Sequence, residues 1–272
     1  EEDLLELLGG QPNTGVANTF GFGNLPGYGV PNIMTADGPA GLRIAPECGI
    51  CTTAWPCATL LACTWNTDLV EMIGEAGAKE VKENNIGVWL TPAVNIHRNP
   101  LCGRNFEYYS EDPLVAGKMG AAMVRGIQSR HIAATVKHFA ANNKETNRKH
   151  SDSRVSERAL REIYLKAFQI IVEEADPWAI MSSYNIINGH RASECKELLE
   201  DILRGEWAFK GMVTTDWWTR GEHYKEIKAG NDLKMANGFP ERVKRAMDLG
   251  ELDRKDLEHC AKRILELILK LD

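Results

Sequence analysis

Apolar residues along this chain fall into short runs that alternate with longer segments in which apolar positions recur every three or four residues. A short run bounded by turn residues predicts a strand, and the longer repeat predicts an amphipathic helix. The predicted strands are residues 31–37, 87–96, 133–140, 178–186, 211–218 and 232–236. The clearest predicted helices are residues 67–85, 156–175, 195–207 and 253–271. Because strands alternate with helices, the sequence predicts βαβ units and a parallel sheet.

The helical repeats also predict which side chains are buried and where a helix begins. Thr67 or Asp68 is expected to cap the first long helix, and Ser156 is expected to cap the second. The predicted buried face of the first helix consists of Leu69, Met72, Ile73, Ala76 and Val81. The predicted buried face of the second consists of Leu160, Ile163, Tyr164, Ala167, Ile170 and Ile171.

Two features favour a (β/α)₈ TIM-like barrel, with irregular or missing first elements, over a doubly wound sheet. No Gly-x-Gly-x-x-Gly turn follows the first predicted strand, as a nucleotide-binding sheet would usually have. Polar residues also collect where the strands end, and barrel enzymes build their sites on that rim. These residues are Asp37, Asn95, Lys137, His138, Tyr184, Asn185 and Asp216. Since no linker, low-complexity tract or charge block interrupts the chain, residues 1–272 are expected to form one domain.

Composition and charge exclude several classes of function. The net charge of −6 argues against nucleic acid as the main partner, and no apolar run is long enough to span a bilayer. The seven cysteines are an odd number in a chain too long to need disulfide bonds, and no signal peptide is visible, so we expect reduced thiols in a cytoplasmic protein. A four-thiolate zinc site at Cys48, Cys51, Cys57 and Cys63 is conceivable, but it lacks paired C-x-x-C motifs. We therefore expect no metal and no organic cofactor.

The loops after the predicted strands carry a mixture of groups that suits a polyhydroxylated ring. They offer the carboxylates of Asp37 and Asp216 beside cations, neutral hydrogen-bonding groups and tryptophan faces. Charged groups bond well to hydroxyls, and an indole stacks on the apolar face of a sugar. A phosphate site would lack the carboxylates, and a zinc hydrolase would cluster its histidines. The cations are Arg104, Lys137 and Arg148, and the remaining groups are His138, Tyr184, Asn185, Trp217 and Trp218.

Each of these residues also has a structural interpretation. Asp37 precedes Gly-Pro and could simply be a turn residue. Arg104 and Arg148 could be surface cations paired with Glu107 or Glu145. His138 and Tyr184 could be core residues whose polar atoms are hydrogen-bonded, and one of Trp217 and Trp218 is expected to be buried and the other exposed. Asp216 is the hardest to explain structurally, because a carboxylate at the end of a buried strand is costly without a partner or a use.

Three long motifs identify the chain as a relative of a known family. "GRNFEYYSEDP" (103–113), "KHFAANNKETNR" (137–148) and "RVSERALREIYLKAF" (154–168) resemble the barrel domain of glycoside hydrolase family 3, which includes bacterial and fungal β-glucosidases. The resemblance runs from about residue 20 to the end of the chain and implies that Asp216 is the nucleophile. It further implies that residues at matching positions hold the non-reducing-end sugar, namely Asp37, Arg104, Lys137, His138, Arg148, Met181, Tyr184 and Trp217.

The resemblance implies a retaining β-glycoside hydrolase that forms a covalent glycosyl-aspartate and releases a sugar, with β-D-glucose expected. Lys137, Arg104 and Arg148 are expected to keep Asp216 ionised despite its burial. Retaining chemistry needs a second carboxyl, which in the β-glucosidase branch lies on a separate α/β-sandwich domain that this chain lacks. Glu107, Glu111 and Glu145 are the in-chain candidates. Another departure is Lys234, where the family more often has an acidic residue.

Other functions stay open at this stage. The chain could be a catalytically silent sugar-binding barrel, or it could act on β-xylosides or β-N-acetylglucosaminides. The His-Asp pair of the barrel-only β-N-acetylglucosaminidases follows a K-H-F-P-G-H-G motif, whereas this chain reads "KHFAANN". A lysine Schiff-base mechanism through Lys137 is a third hypothesis. The expected partners are a β-glucoside or oligosaccharide and the sandwich domain, with no nucleic acid and no membrane.

Overall fold

Two sheets form the frame of the fold in the computed structural model, which describes residues 1–13 and 15–271. The main sheet has six strands in the order β1-β2-β3-β4-β6-β9, and β1 is antiparallel to β2 whereas the later neighbours are parallel. A small three-stranded sheet contains β5, β7 and β8. The strands are β1 (Gly21–Leu25), β2 (Val30–Ala36), β3 (Val88–Trp89), β4 (Ala133–Phe139), β5 (Asp152–Ser153), β6 (Ala179–Ser182), β7 (Ile186–Ile187), β8 (His190–Arg191) and β9 (Met212–Thr215).

Helices connect the parallel strands and cover the main sheet. They are α1 (Glu2–Leu7), α2 (Ala58–Ala62), α3 (Thr67–Glu83), α4 (Pro113–Gln128), α5 (Glu157–Ala159), α6 (Lys166–Ala175), α7 (His223–Lys228), α8 (Pro240–Asp248) and α9 (Arg254–Ile268). The predicted α/β class is therefore confirmed, and the main sheet curls as part of a barrel does. No helix among the described residues is both long and apolar enough to cross a membrane.

Five of the six predicted strands lie where the sequence places them, although several are shorter. The run from 87 to 96 is a strand only over Val88–Trp89, with buried irregular chain beyond it. The prediction of a strand over residues 232–236 is wrong. This segment makes only isolated parallel bridges, from Leu233 to Thr214 and from Lys234 to Gly9. A further bridge joins Gln11 to Gly21 of β1. Hydrogen bonding thus continues past both edges of the main sheet, but without regular strands.

The predicted buried face of α3 is only partly confirmed: Val81 is buried, Leu69 and Ile73 are half-buried, and Met72 and Ala76 are exposed. Small residues take the buried positions, and of these Gly74 faces the neighbouring helix α4. Met72 is exposed, whereas Gly74 and Gly77 are buried, together with Val70, Ala78 and Val81. A Cβ added at Gly74 would lie 2.8 Å from the carbonyl oxygen of Met123 in α4. A hydrophobic count cannot detect this close backbone contact, since it gives no weight to glycine. The cap is also different, because Asn66 rather than Thr67 or Asp68 accepts the Leu69 N–H.

The helix predicted over residues 156–175 is present but interrupted. Ser156 accepts a hydrogen bond from the Ala159 N–H, as predicted. A wide π turn over Leu160–Tyr164 then separates α5 from α6 and rotates the following face. Ile163 is consequently exposed and Tyr164 half-buried, whereas the other predicted core residues of this segment are buried. A second π segment covers Glu197–Glu206, within the third predicted helix.

The parallel arrangement brings the carboxyl ends of five strands to one edge of the main sheet. Strand β2 ends at Ala36, β6 at Ser182 and β9 at Thr215, so each is followed within two residues by a residue of the predicted site. Strand β4 carries Lys137 and His138 within its last residues, where its register against β6 shifts between Val136 and Phe139. The fold therefore supplies a common rim for side chains that are distant in sequence.

Candidate active site

A cavity of about 430 Å³ lies at the rim formed by the carboxyl ends of the parallel strands. All nine residues that the sequence predicts for the sugar site line this one cavity. They are Asp37, Arg104, Lys137, His138, Arg148, Met181, Tyr184, Asp216 and Trp217. The residues come from five separate loops, so their convergence is a property of the fold and not of local sequence.

Asp216 lies at the inner wall of the cavity, directly after β9. The residue is only 8% exposed. Its Oδ1 accepts the backbone N–H of Trp217 at 2.7 Å, whereas its Oδ2 is buried without a hydrogen-bond partner among the described residues. One carboxylate oxygen is thus fixed by the backbone, and the other is available for a ligand.

The electrostatic environment of Asp216 is balanced between burial and nearby cations. Burial raises the pKa of the Asp216 carboxyl above its usual range, while the Trp217 N–H and the charges of Arg104 and Lys137 lower it. The cations act in the direction that the sequence predicted, but they do not fully offset burial. A buried carboxyl with a raised pKa at the wall of a cavity is typical of functional sites.

Lys137 is committed to Asp37 rather than to Asp216. Its Nζ lies 2.8 Å from Asp37 Oδ1, and Arg43 Nη1 lies 3.2 Å from Asp37 Oδ2. Burial alone would raise the pKa of Asp37, but the attraction of Lys137 and its hydrogen bond outweigh this effect and, with Arg43, lower the pKa to about 2. Asp37 is therefore an ionised acceptor held at the cavity wall, suited to bonding sugar hydroxyls. The interpretation of Asp37 as a simple turn residue does not account for this ion pair.

His138 is held as a neutral hydrogen-bonding group. Its Nε2 lies 2.8 Å from Arg104 Nη2, and its Nδ1 lies 3.2 Å from Asn95 Oδ1. Since a guanidinium can only donate, Nε2 must accept and Nδ1 must carry the proton. Burial, together with the charges of Arg104, Lys137 and Arg148, lowers the pKa of His138 well below its usual value. The Nε2 atom also lies 4.0 Å from Asp216 Oδ2, which is too far for a hydrogen bond.

Arg104 and Arg148 line the cavity and are also paired with glutamates, so both sequence interpretations hold for them. Arg104 Nε bonds to Glu107 Oε1, and Arg148 Nη1 lies 2.9 Å from Glu145 Oε2. The Arg148 guanidinium stacks over the Tyr184 ring at 4.7 Å. These contacts fix the direction of both arginines before any ligand binds.

The two adjacent tryptophans separate as the sequence predicted. Trp217 is buried against the cavity, and Trp218 is 57% exposed at its mouth. The Tyr184 hydroxyl donates to the Trp217 carbonyl oxygen at 2.7 Å, and Met181 is buried below them in the cavity floor. The Trp217 Nε1 is a buried donor without a partner among the described residues, so an acceptor on a ligand could satisfy it.

Six lining residues were missed by the sequence-based site list, namely Asn18, Thr19, Arg43, Leu90, Phe106 and Glu107. Arg43 and Phe106 lie in loops that the sequence did single out, so their position next to named residues was a usable signal. Asn18 and Thr19 come from the irregular segment before β1, where Asn18 Oδ1 accepts the Asp37 N–H at 3.2 Å. No pattern in the sequence indicates that this segment reaches the cavity.

Two further groups lie away from the cavity. Glu111 lines a separate surface depression with His97 and Trp65, so it is not placed to act as an acid at Asp216. Cys48, Cys51 and Cys63 are exposed, and the described residues contain no group of three or more His, Cys, Asp or Glu side chains placed to hold a metal ion.

Known proteins resemble this chain closely. Residues 26–267 match the family described as "Glycosyl hydrolase family 3 N terminal domain". Beta-glucosidase A of Butyrivibrio fibrisolvens is 67% identical over 257 residues, which cover 94% of this chain and 31% of that protein. An exo-alpha-(1->6)-L-arabinopyranosidase of Bifidobacterium longum is 42% identical over 89% of this chain and 33% of its own length. The solved structure of beta-glucosidase 3B from Thermotoga neapolitana with alpha-D-glucose has a TM-score of 0.95 at 42% identity, covering 99% of this chain and 41% of that one.

This chain spans about a third of the length of the curated relatives that it matches. The likeness extends over nearly all of the chain and includes the strand ends and loops that form the cavity. The chain therefore belongs to glycosyl hydrolase family 3 and corresponds to the N-terminal domain of that family.

Proposed function

We propose that this chain is the nucleophile-bearing domain of a retaining β-glucoside hydrolase, with Asp216 as the nucleophile. The observation that carries this proposal is the state of the Asp216 carboxylate. One oxygen is held by the Trp217 N–H, and the other is buried without a hydrogen-bond partner among the described residues, in a side chain that lines the cavity. The relatives named as beta-glucosidases support glucose as the sugar.

The mechanism follows from the positions of the charged groups. Asp216 Oδ2 would attack the anomeric carbon and form a glycosyl ester, which water later hydrolyses. Lys137 and Asp37, already paired at 2.8 Å, would share the hydroxyls of the ring as donor and acceptor. Arg104 would bond a further hydroxyl, since Glu107 and neutral His138 hold its guanidinium in place and Asn95 in turn holds the His138 ring. A preorganised set of this kind favours the oxocarbenium-like transition state.

We infer that the acid/base carboxyl comes from outside this chain. A retaining enzyme needs its two carboxyls about 5 Å apart, with the second free to protonate the leaving oxygen. Among the described carboxylates of the cavity, Asp37 is bound by two cations and Glu107 by Arg104. Glu145 is bound by Arg148. Each of the three would have to leave its ion pair to reach the leaving oxygen, so none is suited to the acid/base role. A further α/β-sandwich domain, in the same protein or another chain, would supply the group.

Covalent trapping tests the nucleophile. The full-length protein would be treated with a 2-deoxy-2-fluoro-β-glucoside that carries an activated leaving group, then digested and analysed by mass spectrometry. The expected result is one labelled peptide that contains Asp216. Labelling of Asp37 or Glu107, or hydrolysis without any trapped ester, would refute the assignment. The isolated domain should bind gluconolactone without hydrolysing glucosides, and a full-length protein that also only binds would support the silent sugar-binding alternative.

The sugar could differ from glucose, because one relative is named as an arabinopyranosidase at 42% identity. Glycosides that differ by one hydroxyl would use the same nucleophile and most of the same cavity. Comparing kcat/KM for aryl β-glucoside, β-xyloside, β-N-acetylglucosaminide and α-L-arabinopyranoside decides among them. Lys137 is a weaker candidate for Schiff-base chemistry, because its ammonium is paired with Asp37. Borohydride trapping with a carbonyl substrate should therefore give no adduct.

We also propose that the main sheet closes into a (β/α)₈-like barrel with irregular members. The support comes from the bridges of Thr214 to Leu233, Gly9 to Lys234 and Gln11 to Gly21, which together connect β9 back to β1. Backbone amides that make these contacts, such as Lys234 N to Leu8 O at 2.9 Å, should exchange slowly with deuterium if the ring is closed.

A further inference from the structure

A buried ion pair lies directly behind the loop that follows Asp216. Lys234 is 1% exposed and Glu226 is 0% exposed. The Lys234 Nζ lies 2.5 Å from Glu226 Oε2, and it also donates to Thr219 Oγ1 and to the Gly221 carbonyl oxygen, each at 3.0 Å. All three ammonium protons therefore have acceptors, and two of these acceptors belong to the loop 217–221.

Glu226 completes the same network from the other side. Its Oε1 accepts the Ser193 hydroxyl at 2.8 Å and the Thr219 hydroxyl at 2.9 Å. A Cβ added at Gly221 would lie 2.1 Å from this oxygen, so only glycine allows the loop to approach the carboxylate so closely. Thr219 contacts both charges, since its hydroxyl accepts a hydrogen bond from Lys234 and donates one to Glu226. The hydroxyl of Thr219 thus connects the ion pair to the loop.

The segment that carries Lys234 is also bonded to the residues around Asp216. The Trp218 N–H donates to the Met235 carbonyl at 2.9 Å, and the Met235 N–H donates to Thr215 Oγ1 at 2.8 Å. Trp217, whose N–H fixes Asp216 Oδ1, lies in the chain between Thr215 and Trp218, which are both hydrogen-bonded to Met235. A displacement of the loop would therefore move the donor that holds the nucleophile.

We propose that the Lys234–Glu226 pair is a positioning device that fixes the loop 217–221, and through it the Trp217 N–H and the Asp216 carboxylate. The pair touches neither the cavity nor a substrate, so both residues are positioning residues and not catalytic ones. A fully buried ion pair is weak evidence for stability alone, because desolvation can exceed the attraction between the charges. The pair makes several hydrogen bonds to the loop 217–221, and ordering this loop is a role that stability alone does not explain. The consequence for catalysis rests on the proposed function of Asp216.

Two variants in the full-length protein separate the charge from its connection to the loop. Lys234→Met removes the ammonium and leaves Glu226 buried without its cation. Thr219→Val keeps the ion pair and removes only the connecting hydroxyl, so it remains informative if Lys234→Met fails to fold. The matched control is Arg204→Met, because Arg204 also forms a buried ion pair, with Asp232 at 2.7 Å. Asp232 accepts the Val213 N–H near the start of β9, so this pair does not contact the loop 217–221.

Hydrogen exchange measured by mass spectrometry tests the ordering without requiring activity. We expect peptides that cover residues 217–221 to exchange faster in Lys234→Met and in Thr219→Val than in the wild type, and to be unchanged in Arg204→Met. Equal exchange of this loop in the wild type and Thr219→Val, or equal acceleration in the Arg204→Met control, would overturn the proposal.

The rate constant for inactivation by the 2-fluoro glucoside measures the consequence at Asp216. Misplacement of a reacting group by about 1 Å can cost about a hundredfold, so we expect a tenfold to hundredfold decrease in Lys234→Met with a nearly unchanged inhibitor dissociation constant. The Arg204→Met rate should match the wild type. A loop that loosens without any change in this rate would refute the link to the nucleophile. If the wild type itself is not labelled at Asp216, the proposed function fails, and the exchange experiment still decides whether the pair orders the loop.

Discussion

Replacing Asp216 by Asn gives the sharpest test of the site, because it should lower the catalytic rate and raise the stability of the fold. The side chain keeps its shape, and the amide oxygen can still accept the Trp217 N–H that Oδ1 now accepts at 2.7 Å. The nucleophilic oxygen is lost, however. Loss of a nucleophile typically costs on the order of 10⁴-fold or more in kcat, so hydrolysis should fall to near the background rate.

The same substitution should make the domain more stable at neutral pH. Burial raises the pKa of Asp216. Above that pKa the folded protein holds a poorly solvated charge, which lowers its free energy of unfolding. Each unit by which the pKa is raised corresponds to about 1.4 kcal/mol. The cations would not be left unpaired, since Lys137 keeps Asp37 and Arg104 keeps Glu107. The gain should vanish below the ordinary carboxyl pKa, where Asp216 is protonated in both the folded and the unfolded state.

The assay combines kcat on an aryl β-glucoside with urea unfolding of wild type and Asp216→Asn at several pH values. We expect the stability difference to grow as pH rises from about 4 through the raised pKa and then to level off. Glu111→Gln is a suitable control, because this carboxyl lies outside the cavity and should change neither quantity. Activity within tenfold of the wild type would contradict the assignment of Asp216 as the nucleophile, and a stability gain over the wild type that is smaller at pH 7 than at pH 4 would contradict its raised pKa.

Three further predictions concern the groups around the nucleophile. Lys137→Met should raise the pKa of Asp37 from about 2 towards its ordinary value, removing stability that is present above pH 4 and lost as pH falls towards 2, and carboxyl NMR titration would detect this change. His138 should show no titration of its ring signals between pH 5 and 8, and an inflection there would contradict its neutral, buried state. Trp218→Ala should change the free energy of unfolding by only about 0.5 kcal/mol, because the side chain is mostly exposed, yet raise KM for aryl glucosides measured by steady-state kinetics.

The sequence predicted the site better than it predicted the helices around it. Strand ends are useful markers because parallel strands bring their carboxyl ends to one edge of the sheet. Asn95 and Asn185 are exceptions, since they bond to the backbone of His138 and Ala140 and do not line the cavity. Lys137 and His138 were predicted to share one cavity both from their place at a strand end and from the family resemblance. Consecutive residues of a regular strand point to opposite faces, but β4 is irregular at this point, where its register against β6 shifts between Val136 and Phe139.

The errors share one physical cause, which is that a hydrophobic repeat does not detect backbone contacts. Gly74 is buried because it lets α4 approach, and Gly77 because it lies against the Trp89 ring, whereas Met72 is exposed. The segment 232–236 has an apolar pattern typical of a strand, but its hydrogen bonds are divided between β9, the N-terminal segment and the loop 217–221. Lys234 interrupts that apolar pattern, and the structure supplies the reason in its pairing with Glu226.

In the proposed mechanism, the ion pairs around each carboxylate decide which of them can act as the nucleophile. The sequence does not show these ion pairs. Three carboxylates line the cavity, and their identities alone would allow each of them to be the nucleophile. Asp37 is held by Lys137 and Arg43, and Glu107 is held by Arg104, so a bond from either to carbon would require an ion pair to break. Asp216 has its nearest positively chargeable neighbour, the neutral His138, at 4.0 Å and makes its described hydrogen bond through Oδ1 only. Under the proposed function, its Oδ2 would approach an anomeric carbon without breaking an ion pair, while the fixed charges around it would bind the ring.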